Sequence, residues 1–292
     1  MPITPQSTTL DPTRAAAPDS TPLVVIGGGT MATAILQGAA DAGVINFARV
    51  VVADPNADRR AAFQHAEPTA AAALDRAAEL DSADCRVMLA VKPQMLPAVT
   101  REIADRFVAG HPSRLVISIL AGTTADGIRT TLGPAARVVR VMPNTPSQVR
   151  RGMSAIAAHE SAAPDDLCYT RQLFTAVGQT VELPEDLIDA FTGVAGSGPA
   201  YVFLLAEALT EAGIAVGLNP DDAATVARAT ITGAGALLDA DDRSADELRR
   251  AVTSKNGTTA AALNAFESGD LRGLVKRAVT AARDRGRELG AG

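Results

Sequence analysis

Short apolar runs alternate with longer amphipathic stretches through the first part of the chain. The runs at residues 23–26, 50–52, 87–91 and 115–119 have the length and continuity of strands buried on both faces. Segments of about 10 to 15 residues at helical spacing fit between them, which predicts alternating β and α units, a parallel sheet and right-handed crossovers. Residues 137–142 and 153–157 predict further strands. Beyond about Pro184 the strand-like runs stop, and Ala, Leu and charged residues recur at helical spacing to Gly292. Pro199 after Ser197 and Gly198, Pro220 before Asp221 and Asp222, and Ser244 before Asp246 and Glu247 mark helix starts. The chain therefore divides into an α/β half, residues 23–184, and an all-helical half, residues 185–292. Residues 1–22, rich in Thr, Pro, Ser and Ala, predict a disordered tail.

Composition narrows the functional classes. With 292 residues, each half can bury a core of its own. The sequence is 47% hydrophobic but only 3% aromatic, so Ala, Val, Leu and Ile must fill the interior. A net charge of −6 argues against a nucleic-acid surface and leaves no basic stripe for anionic lipid, so a small molecule is the expected partner. Cys85 and Cys168 have neither C-x-x-C nor zinc-type spacing and read as core thiols, with no metal site expected. His65, His111 and His159 are scattered and read as surface histidines. Residues 1–22 lack the basic start and apolar run of a secretory signal. No apolar run approaches the roughly 18 residues of a membrane helix, so the expected location is the cytoplasm.

The chemistry starts where the first strand ends. Gly27, Gly29 and Ala32 satisfy G-x-G-x-x-A within G-G-G-T-M-A, between a predicted strand and a predicted helix. Glycines let backbone approach a pyrophosphate, and the helix N-terminus offers free N–H groups and the positive end of its dipole. Asp54 follows at the end of the next strand, as the dinucleotide fingerprint requires, which favours a Rossmann-like dinucleotide-binding domain over a plain strand-to-helix turn. Its carboxylate can accept from a ribose 2'-hydroxyl, whereas Asn56, Arg59 and Arg60 can meet a 2'-phosphate. Both NADPH and NADH stay open. Ala90, Val91, Lys92 and Pro93 close a strand on the same carboxyl edge and could line the nicotinamide side.

Three further stretches, V-R-V-M-P-N-T-P at 139–146, T-G-V-A-G-S-G-P-A-Y at 192–201 and V-T-S-K-N-G-T-T at 252–259, make the sequence resemble the pyrroline-5-carboxylate reductases from about Leu23 to Leu289. The most specific piece runs from Leu248 to Glu267. The resemblance implies reduction of 1-pyrroline-5-carboxylate to proline, usually with NADPH, by a homodimer whose helical domains interlace; assembly beyond the dimer stays open. By motif position it implies cofactor contacts at Ile26, Gly27, Gly28, Gly29, Thr30 and Met31, at Ala90 to Pro93 and at Asn144. It places the substrate carboxylate at Ser254, Gly257, Thr258 and Thr259. Hydroxyls and amides at a turn that opens a helix suit an anion. A cyclic imine can enter already protonated, so no catalytic His or Lys is required, and Thr259 is the expected partner of the imine nitrogen.

The sequence departs from the family pattern in two places. Ala195 stands where a serine is usual, and Lys255 and Asn256 replace the Pro-Gly of S-P-G-G-T-T. Asn tolerates positive φ, and Lys255 adds a charge beside the carboxylate site. A related cyclic imine acid, or a non-catalytic dinucleotide-binding paralogue, is the alternative these changes keep open. A 3-hydroxyacid dehydrogenase is a weaker rival, because Val202 falls where its catalytic lysine would stand.

Overall fold

The computed structural model describes residues 20–80 and 84–291; the expected tail lies outside the described residues as far as residue 19. In chain order the strands are β1 (Leu23–Ile26), β2 (Val50–Ala53), β3 (Ala66–Glu67), β4 (Arg86–Leu89), β5 (Arg114–Ser118), β6 (Ala136–Met142), β7 (Gly152–Ala158) and β8 (Gly178–Glu182). They form one sheet in the order β3-β2-β1-β4-β5-β6-β7-β8. Pairing is parallel from β3 through β6, as expected, but β6 and β7 pair antiparallel. The connection from Asn144 to Arg151 is too short to carry the chain back across the sheet for a parallel return.

Both faces of the sheet are covered. Helices α1 (Thr30–Asp41), α2 (Ala57–Arg60), α3 (Ala70–Leu80), α4 (Leu96–Ile103), α5 (Ala125–Leu132) and α6 (Pro164–Thr175) alternate with the strands. Val24, Ile26, Val51, Val87 and Leu89 point into one layer with apolar residues of α3, α4 and α5. Val25, Val52, Met88 and Ile117 point into the other with α1 and α6. Successive side chains of a strand alternate between faces, so a run that is apolar throughout is what a doubly covered sheet demands.

After β8 only helices follow among the described residues: α7 (Ile188–Phe191), α8 (Gly198–Ala215), α9 (Pro220–Ala240), α10 (Ala245–Ala251), α11 (Thr258–Ser268) and α12 (Leu271–Ala291). The predicted starts hold. Asn219 caps α9 from its side chain, and Ser244 with Glu247 forms a capping box on α10. Pro199 stands in the first turn of α8.

This half is short of a core within one chain. Phe203, Leu204, Val226, Leu237, Leu238, Leu274 and Val275 are all exposed. One continuous helical stretch, Glu185–Ala215, is by length and composition long and apolar enough to cross a membrane. Four helical segments join end to end there, Glu185–Leu187, α7, Thr192–Gly196 and α8, and no single apolar run among them is long enough to read as a span in the sequence.

Candidate functional site

The first strand delivers the chain to a turn built on two different kinds of glycine. Gly27 has φ +105°, and a Cβ on it would lie 2.6 Å from the Ala90 carbonyl oxygen, so the fold itself requires glycine there. Gly29 is different. Its backbone is extended, with φ −74° and ψ 174°, and a Cβ would meet nothing within 4 Å. The fold makes no demand for a missing side chain at Gly29; a ligand that must touch backbone does.

Gly29 is also the N-cap of α1, and no side chain caps that helix or places an acid in its first turn. Its first amides are left for another acceptor. A cleft of about 570 Å³ passes over this point, from Arg59 across Gly28 and Thr30 to Ser147 and Arg150. The buried Ser147 hydroxyl has no hydrogen-bond partner among the described residues. These features fit a dinucleotide: open backbone, an uncapped helix start and cations at the rim.

Asp54 reaches the turn from the end of β2. One carboxylate oxygen accepts from the Gly28 N–H at 2.9 Å and from Arg59 at 3.4 Å, and the other accepts from the Asn56 N–H at 2.9 Å. Burial raises its pKa, but the Asn56 and Gly28 amides and the Arg59 guanidinium outweigh that and hold the carboxyl below its ordinary range. With its side chain only 3% exposed, Asp54 braces the turn from beneath. Asn56 caps α2 through its side chain, Arg60 bonds the carbonyls of Asp54 and Pro55, and Arg59 keeps an exposed guanidinium. Ala90 lies against Gly27, and the Ala90 N–H donates to the Ile26 carbonyl at 2.8 Å. Lys92 is exposed beyond it.

Asn144 follows β6 on the same carboxyl edge, buried to 8% exposure. Both ends of its carboxamide are engaged inside the protein. Nδ2 donates to the Ala195 carbonyl at 2.9 Å, and Oδ1 accepts from the Met153 N–H at 2.9 Å. Nothing in the sequence around Asn144 announces this link.

The second expected site opens α11. Ser254 to Gly257 form a turn closed by Gly257 N–H to the Ser254 carbonyl at 3.1 Å, with Asn256 at φ +59°. Positive φ at the third position, but not the second, is type II geometry. A Cβ on Gly257 would run into the Ser254 hydroxyl. Gly257 is the N-cap of α11 and, as on α1, no side chain caps the helix. Ser254, Gly257, Thr258 and Thr259 are thus brought together at one helix start. This start and the first glycine turn are not joined within one chain, because α11 packs chiefly on α12.

A family profile described as pyrroline-5-carboxylate reductase dimerisation matches residues 185–289, and one described as NADP oxidoreductase, coenzyme F420-dependent, matches residues 22–122. The chain is 38% identical over 268 residues to the pyrroline-5-carboxylate reductase of Synechocystis sp., covering 92% of this chain and 98% of that protein. It is also 38% identical to the Pseudomonas aeruginosa enzyme, covering 92% and 97% of the two chains. The solved reductase of Coxiella burnetii superimposes with a TM-score of 0.83 at 36% identity, over 93% of this chain and 99% of that one. The Plasmodium falciparum reductase, solved with NADP bound, gives 0.80 at 26% identity, over 94% and 99%.

Proposed function

The chain belongs to the pyrroline-5-carboxylate reductase family and is an NAD(P)H-dependent oxidoreductase that reduces 1-pyrroline-5-carboxylate to proline; from that premise we propose how its own residues divide the work. The dinucleotide pyrophosphate lies over Gly27 to Met31 on the uncapped start of α1. The adenosine end lies toward Asn56 and Arg59, and the nicotinamide end toward Ala90 to Pro93. Reduced nicotinamide supplies the hydride. Because Asp54 is turned inward while Arg59 is exposed, NADPH is the preferred form.

The substrate carboxylate is held by the hydroxyls of Ser254, Thr258 and Thr259 and the amides that open α11. An imine that arrives protonated is already an electrophile, so the chain needs to orient it rather than protonate it. Thr259 does this through its hydroxyl at the imine nitrogen. Lys255 adds a positive charge to the same turn. The chain acts as a homodimer. Its second half matches the dimerisation profile and leaves the apolar faces of α8, α9 and α12 uncovered, so that half pairs with a copy rather than with lipid.

The observation that carries this reading is the open space at Gly29 above an uncapped helix, together with relatives that match nearly the whole chain. Following nicotinamide absorbance with 1-pyrroline-5-carboxylate and with its six-membered homologue, each with NADPH and with NADH, tests it directly. Turnover of the five-membered acid with NADPH is expected; silence in all four mixtures defeats the assignment. Thr259→Val and Thr259→Ala should each lower kcat/KM by about a hundredfold, the cost of displacing the reacting atoms by about 1 Å. Near-normal rates in both variants remove Thr259 from that role.

A further inference from the structure

The two halves meet at a break in the helix between α7 and α8, and hydrogen-bond accounting there singles out Asn144. Residues Thr192–Gly196 form a π turn, in which the Ser197 N–H donates to the Thr192 carbonyl at 2.8 Å. In an ordinary α-helix that N–H would serve Gly193, so the Gly193 carbonyl loses its donor. The Ala195 carbonyl would take the N–H of residue 199, but that residue is proline and has none. Each orphan is rescued by a side chain: the Tyr201 hydroxyl donates to Gly193 at 2.9 Å, and Asn144 Nδ2 donates to Ala195 at 2.9 Å.

Of the two rescuers, Tyr201 belongs to α8 itself, whereas Asn144 comes from the end of β6, on the carboxyl edge that carries the glycine turn. Its other amide atom is fixed by the Met153 N–H at the start of β7, so the donor is held rigidly. The π turn is clamped on its far side as well. A Cβ on Gly193 would lie 2.7 Å from the Val279 carbonyl of α12, and one on Gly196 would lie 3.3 Å from the Met142 methyl at the end of β6. The break is therefore seated on both the sheet edge and the last helix. Helices do not keep a π turn at this energetic cost without a reason, and such bulges gather at functional places.

We propose that Asn144 is a positioning residue for the reduction: its bond to the Ala195 carbonyl sets the register of the helical half against the sheet edge that binds the dinucleotide. This rests on the functional reading above, in which the hydride donor and the acid are held by different halves. Neither binding site contains the tethered carbonyl. Loss of the tether leaves both ligands bound but their reacting atoms displaced, and displacement of about 1 Å costs up to a hundredfold in rate.

Asn144→Asp is the discriminating variant, because it keeps the acceptor for Met153 and removes the donor to Ala195. Measured on the full-length protein with NADPH and 1-pyrroline-5-carboxylate, kcat should fall by about tenfold or more. The NADPH dissociation constant, read by calorimetry, and the KM for the imine acid should each stay within about threefold. Hydrogen exchange of the amides at 193–198 and 200 should accelerate, with the strands of the sheet unchanged. Tyr201→Phe, which deletes one hydroxyl, should show the same split at smaller size, and it carries the test if Asn144→Asp does not fold. An unchanged kcat in folded Asn144→Asp, or in Tyr201→Phe where the first variant cannot be made, overturns the proposal. So does a loss confined to NADPH affinity, which would make Asn144 a ligand contact. Wild-type protein that neither binds NADPH nor turns over would instead overturn the functional reading itself.

Discussion

Gly27 and Gly29 sit two residues apart in one motif and answer to different physics. Alanine at 27 forces a positive φ on a residue with a Cβ and drives that atom into backbone at Ala90, a combination worth several kcal/mol, since the left-handed region alone costs roughly 1–2 kcal/mol. Alanine at 29 has an ordinary φ and empty space. We expect Gly29→Ala to melt within a degree or two of wild type yet bind NADPH at least about tenfold more weakly, because its methyl takes the place of the pyrophosphate. Gly27→Ala should be poorly folded. Calorimetry with thermal melts separates the two, and a Gly29→Ala protein with wild-type NADPH affinity would return this motif to a plain turn. The glycine spacing was legible in the sequence because only glycine serves both demands. The direction of Asp54 was not, because a carboxylate at the end of β2 can face a ribose or the turn beneath it, and only the folded positions of the Gly28 and Asn56 amides, which it accepts from, decide.

Elements whose stability is local were readable, and elements that depend on a neighbour were not. The strands β1, β2, β4, β5, β6 and β7 are apolar runs, and the starts of α8, α9 and α10 carry their own proline or cap. β3 is two residues long, and β8 is the sheet-edge segment Gly178–Glu182, whose sequence GQTVE has no apolar alternation. Both are strands because β2 and β7 offer a ladder. The turn at 254–257 is an intermediate case. Its departures, Lys255 and Asn256, preserve type II geometry because Asn tolerates φ +59° and Lys occupies the position where any residue of negative φ fits. Asn256→Ala should therefore cost about 1 kcal/mol in urea unfolding, while Asn256→Gly costs little. It should also raise the KM for the imine acid, since the turn carries Ser254 and Gly257. Equal stability of the Ala and Gly variants would mean that the turn is not held in this form.

At the scale of the whole molecule, the two binding regions do not face each other within one chain, and the helical half exposes an unusual amount of apolar surface. These are one fact. The 3.6-residue pattern of α8 and α9 showed that the segments are helices; it could not show what covers them, since an amphipathic face reads the same whether it meets its own chain or a copy. Leu204 is 64% exposed in the single chain, so aspartate there should cost a monomer almost nothing. In a dimer closed through α8, the same charge is buried without a partner. Leu204→Asp should accordingly shift the protein to monomer in sedimentation equilibrium, raising the dimer dissociation constant by at least about a hundredfold. Turnover should fall with it, on the proposal that the start of α11 meets the glycine turn in the assembled dimer. Val108 is 45% exposed but lies beyond α4, in the nucleotide-binding half, and Val108→Asp should leave both assembly and rate unchanged. A Leu204→Asp protein that stays dimeric would place the interface on another face of the helical half, and full activity in a proven monomer would show that one chain brings hydride donor and acid together unaided.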